Sequence, residues 1–145
     1  MEYMKFKDTY VVRLDVGDEV VEMVTELCKK ENITLGNVSA IGATNYVKMG
    51  LYDVVKKEYI SKELNGPMEI TSLIGNISTK DDEVYLHMHI NVCNDEMQVF
   101  GGHLNNCLIS ATCEIIITEI KGKVEREFDN NIGLNLFDFN KVSKS

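Results

Sequence analysis

Arginine is nearly missing from this sequence. Only Arg13 and Arg126 occur among 145 residues, and 15 basic side chains face 23 acidic ones, leaving a formal charge of −8. A nucleic-acid face must neutralise phosphates with clustered Lys and Arg, and arginine is the usual reader of guanine edges and narrow grooves. The balance therefore argues against a general DNA-binding surface. The pairs Lys29-Lys30 and Lys56-Lys57 are too short to build one and read as solvated charge. No apolar run approaches the length of a membrane span. The four cysteines, Cys28, Cys93, Cys107 and Cys113, contain no Cys-x-x-Cys pair, and no secretory leader is read ahead of them. They are expected to be reduced thiols of a cytoplasmic protein. Proline occurs once, at Pro67.

What is present is the composition of an ordinary globular domain, 44% apolar and 26% charged. That is enough to bury a real core. No repeat, linker or composition shift divides the chain, so one domain is expected over residues 1–145, with only the polar ends, 1–7 and 140–145, lacking order. Residues 9–16 alternate as a first strand, with Tyr10, Val12 and Leu14 on one side. Residues 18–31 change to helical spacing. Val20, Val21, Val24, Leu27 and Cys28 form one stripe, with Asp18 and Glu19 at the positive end of the helix dipole and Lys29 and Lys30 at the negative end. Strand patterns follow at 38–41, 46–52, 58–64, 68–77, 84–93, 97–104 and 112–121. A turn is expected at Asn65, Gly66 and Pro67, a second over residues 79–82, and a short helical turn over residues 104–110. The pattern predicts an α+β fold: a mainly antiparallel sheet of about seven strands packed with one long helix.

Residues 84–93 carry the chemistry. Val84, Leu86, Met88, Ile90 and Val92 alternate with Tyr85, His87, His89 and Asn91, so the apolar set faces the core and the two histidines project together from the other side. The third histidine, His103, follows Gly101 and Gly102. If Asn94, Asp95 and Glu96 form the loop, Cys93 pairs with Met97 and His103 falls opposite His87, on the same face and within reach. A two-residue loop would send His103 to the other side. Three converging imidazoles suit Zn²⁺ with a fourth position open, although nickel, copper and iron also accept such ligands. The alternative is three polar residues on a partly wet or subunit-facing surface. Cys93 shares the histidine face, and Cys107 follows His103, but both read as small buried hydrophobes. Gly101 and Gly102 would let a backbone or small ligand approach.

These motifs together resemble the plant and prokaryote conserved (PPC) domain family. Gly66-Pro67-Met68-Glu69-Ile70-Thr71-Ser72-Leu73 and Gly75-Asn76-Ile77-Ser78 are similar to its Gly-x-Phe-Glu-Ile-x-Ser-Leu-x-Gly signature. His87-Met88-His89 and Gly101-Gly102-His103-Leu104 resemble the His-x-His and Gly-Gly-His-Leu of its prokaryotic members. Arg13-Leu14, Gly17-Asp18-Glu19-Val20 and Ile41-Gly42-Ala43 fit its opening elements, and Ala111-Thr112-Cys113-Glu114 with Thr118-Glu119-Ile120 its closing strand. The likeness runs over about residues 8–121. It implies the same sheet-and-helix fold and assembly into a homotrimer. The plant relatives place an Arg-Gly-Arg-Pro AT-hook ahead of the domain, and this chain has none. They also use the Gly-x-Phe-Glu region for contacts, which makes Gly66 and Glu69 candidate partner-binding residues. Glu69 would pair with Arg13 inside the trimer, or serve as a base beside a metal-bound water, so both back the ligand set as candidates. Three roles follow as expectations: a metal-containing module binding a small ligand or partner, a metal-dependent enzyme, and a DNA-associated regulator.

Overall fold

The computed structural model describes residues 1–143. Its elements run β1 (Glu2–Phe6), β2 (Thr9–Leu14), α1 (Val20–Glu31), β3 (Gly36–Asp53), β4 (Glu58–Lys80), β5 (Glu83–Cys93), β6 (Val99–Glu119), β7 (Lys123–Asp129) and β8 (Leu134–Ser143). The sheet has eight strands in the order β1-β2-β6-β3-β4-β7-β8, with β5 joining β4 to β6. Pairing around β3, β4, β5 and β6 is therefore cyclic. Every pair is antiparallel except a single parallel bridge, Thr79 to Glu125, between β4 and β7. The α+β architecture is as expected, with one strand more and a helix of 12 residues.

Helix α1 begins where the sequence supplies a cap. Glu19 is extended, and its carboxylate accepts from Glu22 N at 2.7 Å and from Cys107 N at 2.8 Å, so one side chain caps the helix and ties it to β6. Asn32 ends it in the left-handed region at φ 56°. Val20, Val24, Leu27 and Cys28 are buried against a core that includes Leu14, Ile33, Leu73, Ile77, Ile90, Ile115 and Ile117. Among the described residues no helix is long and apolar enough to cross a membrane.

Several local expectations are overturned, all for one reason: the strands are longer than their patterns. The helical turn at 104–110 does not form, because β6 runs unbroken across it and pairs with β3. Asn65, Gly66 and Pro67 do not reverse the chain; they form a bulge in β4, where the register against β3 slips between Thr44 and Tyr46 and Gly66 takes φ 113°. Gly42 interrupts the apolar pattern because a Cβ there would strike the backbone of Thr112 and Cys113 on β6. The polar start of the chain is β1, edge-paired to β2, and residues 140–143 lie in β8. The last two residues lie outside the described residues.

Candidate metal centre and its cavity

Two connections decide where the histidines go. Between β4 and β5, Asp81 and Asp82 both take positive φ (53° and 65°), a two-residue turn that pairs Lys80 with Glu83. Counting along that ladder sets His87 opposite Asn76 and His89 opposite Ile74. Between β5 and β6 the loop holds five residues, 94–98, not three. Asn94 Oδ1 accepts from Glu96 N at 3.1 Å and Gln98 N at 2.9 Å, and Met97 turns through φ 61°, so Cys93 pairs with Val99. His103 consequently lies opposite His89 rather than His87. A slip of two residues preserves the face, and the histidines still converge.

The convergence is close. Ring centroids stand 5.1 Å (His87–His89), 5.3 Å (His87–His103) and 5.6 Å (His89–His103) apart. The Nε2 atoms of His87 and His89 are 3.2 Å apart, and one nitrogen from each of the three rings lies within 4.8 Å of the others. Such a group can hold a metal ion. Burial and, after it, the charges of His103, Arg126 and His89 press the His87 pKa down to about 4. Burial, then His89, also lowers His103. Both shifts favour the neutral imidazole, the form a metal binds. Tyr59 stands edge-on to His103 at 6.1 Å, its hydroxyl donating to Asn105 Oδ1 at 2.7 Å.

The rings open into a cavity of about 600 Å³ whose other walls are Gly50, Leu51 and Tyr52 of β3, Arg126 of β7, and Leu134, Asn135 and Leu136 of β8. Arg126 was not foreseen as part of a site. Its guanidinium donates from Nε to Ser78 Oγ, from Nη1 to Asn135 O and from Nη2 to Asn76 Oδ1, each within 2.9 Å. Its Cζ lies 4.8 Å from the Tyr85 ring centre and 4.2 Å from that of Phe137. Nothing in the sequence marked it: it is one charge on a short alternating strand, and the fold buries it between the partly buried Glu125 and the exposed Glu127.

The remaining candidates stand elsewhere. Arg13 is engaged within the chain by Glu2 at 3.2 Å and Asp15 at 3.0 Å, so a pair with Glu69 is not formed inside one protomer. Glu69, exposed and in register with Cys93, does not line the histidine cavity, nor do Arg13 and Gly66. Arg126, by contrast, lines the same cavity as the three histidines. Cys107 is buried and pushed up to about 11, and burial takes Cys28 and Cys113 to about 12, the profile of unreactive core thiols. Cys93 is only partly buried, its thiol turned to the carbonyl of Asn94. Gly102 is demanded by chain packing, since a Cβ would stand 2.7 Å from Gly50 O, and it leaves no added room for a ligand.

Beyond the cavity, one cross-strand row runs Met4, Val11, Ile116, Ser39, Ile74, His89, each paired with the next, and ends at His103. It crosses the open face of the sheet, where Met4, Val11, Ile41, Ile74 and Ile116 are exposed around a groove of about 820 Å³.

Over residues 1–121 the sequence matches the Plants and Prokaryotes Conserved (PCC) domain. The fold is similar to that of a metal-containing protein from Archaeoglobus fulgidus (38% identity, TM-score 0.85, covering 94% of this chain and 96% of that one). It is also similar to a plant- and prokaryote-conserved protein from Pyrococcus horikoshii (37%, TM-score 0.84, 94% and 93%). A Bacteroides thetaiotaomicron protein carrying a provisional DNA-binding label superposes with TM-score 0.94 at 29% identity, covering 97% of this chain and 98% of that one. Among curated proteins, a bifunctional GlmU protein from Synechococcus is 29% identical over 112 residues, 76% of this chain and 16% of that protein. The chain thus spans only a small part of that relative.

Proposed function

The chain belongs to the Plants and Prokaryotes Conserved domain family, and on that footing we propose that it is a trimeric zinc-type metal protein that binds a small ligand or partner at His87, His89 and His103. One observation carries the reading: three imidazoles from two strands meet with a nitrogen of each within 4.8 Å of the others. Two nitrogens on a tetrahedral zinc, each about 2.0–2.1 Å from it, stand roughly 3.3 Å apart. His87 and His89 hold theirs at 3.2 Å. Only His103 has to draw in. The ion would supply a Lewis acid with a position left for an exogenous donor, while the chain supplies neutral ligands and an aromatic, mostly apolar cavity.

A binding role is favoured over an enzymatic one because no Asp or Glu lines the cavity among the described residues, which leaves no carboxylate to move a proton. The trimer is supported by the exposed apolar row on the open sheet face, the kind of patch a lone soluble protomer seldom leaves uncovered. A DNA-associated role finds no support in a charge of −8.

Metal content measured by mass spectrometry on protein purified without a histidine tag tests the site, with His87→Ala beside it. Near-stoichiometric zinc in the parent and none in the variant is the expected result. No metal in either, even after zinc is added, would reduce the histidines to surface or interface residues.

A further inference from the structure

Among the described residues Arg126 is the one cationic side chain lining the cavity, and it is only 7% exposed. All three of its hydrogen-bond partners are neutral, and no carboxylate lies within ion-pair distance of it among the described residues. A buried guanidinium without a counter-charge is costly, and burial here lowers its pKa from the ordinary arginine value. The fold nevertheless invests in holding it. Ser78, Asn76 and a β8 carbonyl fix its plane, and Tyr85 and Phe137 lie over it. Three of its five N–H groups are spent, leaving one on each terminal nitrogen for a further acceptor. Asn76, which anchors Nη2, stands directly opposite His87 in the ladder, so the guanidinium and the imidazoles share one wall.

We propose that this cavity is the binding site of a small carboxylate, its anionic head held by Arg126 and a neighbouring hydroxyl or carbonyl oxygen directed at the three histidines. A short apolar substituent would lie against Tyr52, Leu134 and Leu136. The oxygen's role at the histidines rests on the metal reading above; the guanidinium's does not. The wall that carries Arg126 is built from β7 and β8, beyond the residues 1–121 that the family model matches.

Lactate and its uncharged amide, nearly equal in size, are the probes. Calorimetry would measure both against zinc-loaded parent, metal-free parent and zinc-loaded Arg126→Gln, with zinc content determined for each. The expected result is lactate at least tenfold tighter than lactamide on the zinc-loaded parent. That preference should be lost in Arg126→Gln while its zinc remains. Equal affinity for acid and amide in the parent, an unchanged preference in Arg126→Gln, or no binding to either form of the parent would overturn the proposal. A preference that persists without zinc at undiminished affinity, and vanishes in Arg126→Gln, upholds the carboxylate site while counting against a metal contact to the ligand. If Arg126→Gln loses its circular-dichroism signature of folding, the acid–amide comparison on the parent decides alone.

Discussion

Replacing His103 with alanine should remove most of the stabilisation that zinc confers. A ligand that binds only the folded state at a free concentration 100 times its Kd stabilises by about 2.7 kcal/mol. With an unfolding entropy of about 2.1 cal/mol/K per residue, a chain of this length gains roughly 5–10 °C in Tm. His103 is the only ligand contributed by β6, and without it two imidazoles on one strand remain. Disturbing even an outer hydrogen bond of a metal ligand typically costs about 10–100-fold in affinity, so losing a ligand should cost at least about 100-fold. At the same free zinc the ion then stands at or below the variant's Kd, and the stabilisation falls to about 0.4 kcal/mol at most, a shift of no more than roughly 1–2 °C. Melting by circular dichroism, with and without zinc at fixed free concentration, reads this directly. Each protein is compared with its own metal-free form, so the lost contact with Tyr59 cancels. Asn91→Ala is the control: the same strand and face, one step beyond His89, but no part of the cluster. Should His103→Ala keep the full zinc shift, or Asn91→Ala lose it, the three-histidine site is wrong.

Leu73→Ala, at a fully buried position on β4, should lower stability by about 2–5 kcal/mol through lost burial and the cavity left behind, seen as a lower denaturant midpoint at unchanged m-value. The metal-free protein should lose stability as pH falls from about 6.5 toward about 4. Over that range the unfolded chain protonates His87 at its ordinary pKa while the folded chain resists until about 4, which makes the slope of stability with pH positive. After allowance for the ring's partial exposure this amounts to about 1–2 kcal/mol, and denaturant titrations at several pH values would expose a flat or inverted trend. If three chains of 16.4 kDa associate through the open sheet face, Ile116→Lys should convert a species of about 49 kDa to one of 16.4 kDa by light scattering. A parent already at 16.4 kDa would remove that interface.

Local alternation was enough to place His87 and His89 on the outward face of β5, because a two-residue period leaves a strand with an apolar core side no other orientation. The stripe of Val20, Val24, Leu27 and Cys28 likewise settled the helix and its buried face, although its cap proved to be Glu19. The partner of His103 was not legible. Cross-strand register depends on how many residues a loop spends, and Asn94 binding two downstream amides makes that number five. The histidine face survived only because the error was even. Long strands were misread as short ones because glycines and bulges interrupt the apolar pattern at Gly42 and Gly66 without ending the pairing, which is supplied by strands distant in sequence.

By itself, then, the sequence determined the sheet-and-helix class, the family likeness over about residues 8–121, and the outward face that His87 and His89 share. Those properties follow from local periodicity and residue type. What stands around the imidazoles was decided only by the tertiary structure. Arg126 reaches the site because β7 crosses back beside Thr79 and its hairpin with β8 closes over Tyr85. A charge on a short alternating strand looks the same in sequence whether it meets water or a cavity. Only long-range packing, which takes the water away, makes it a site.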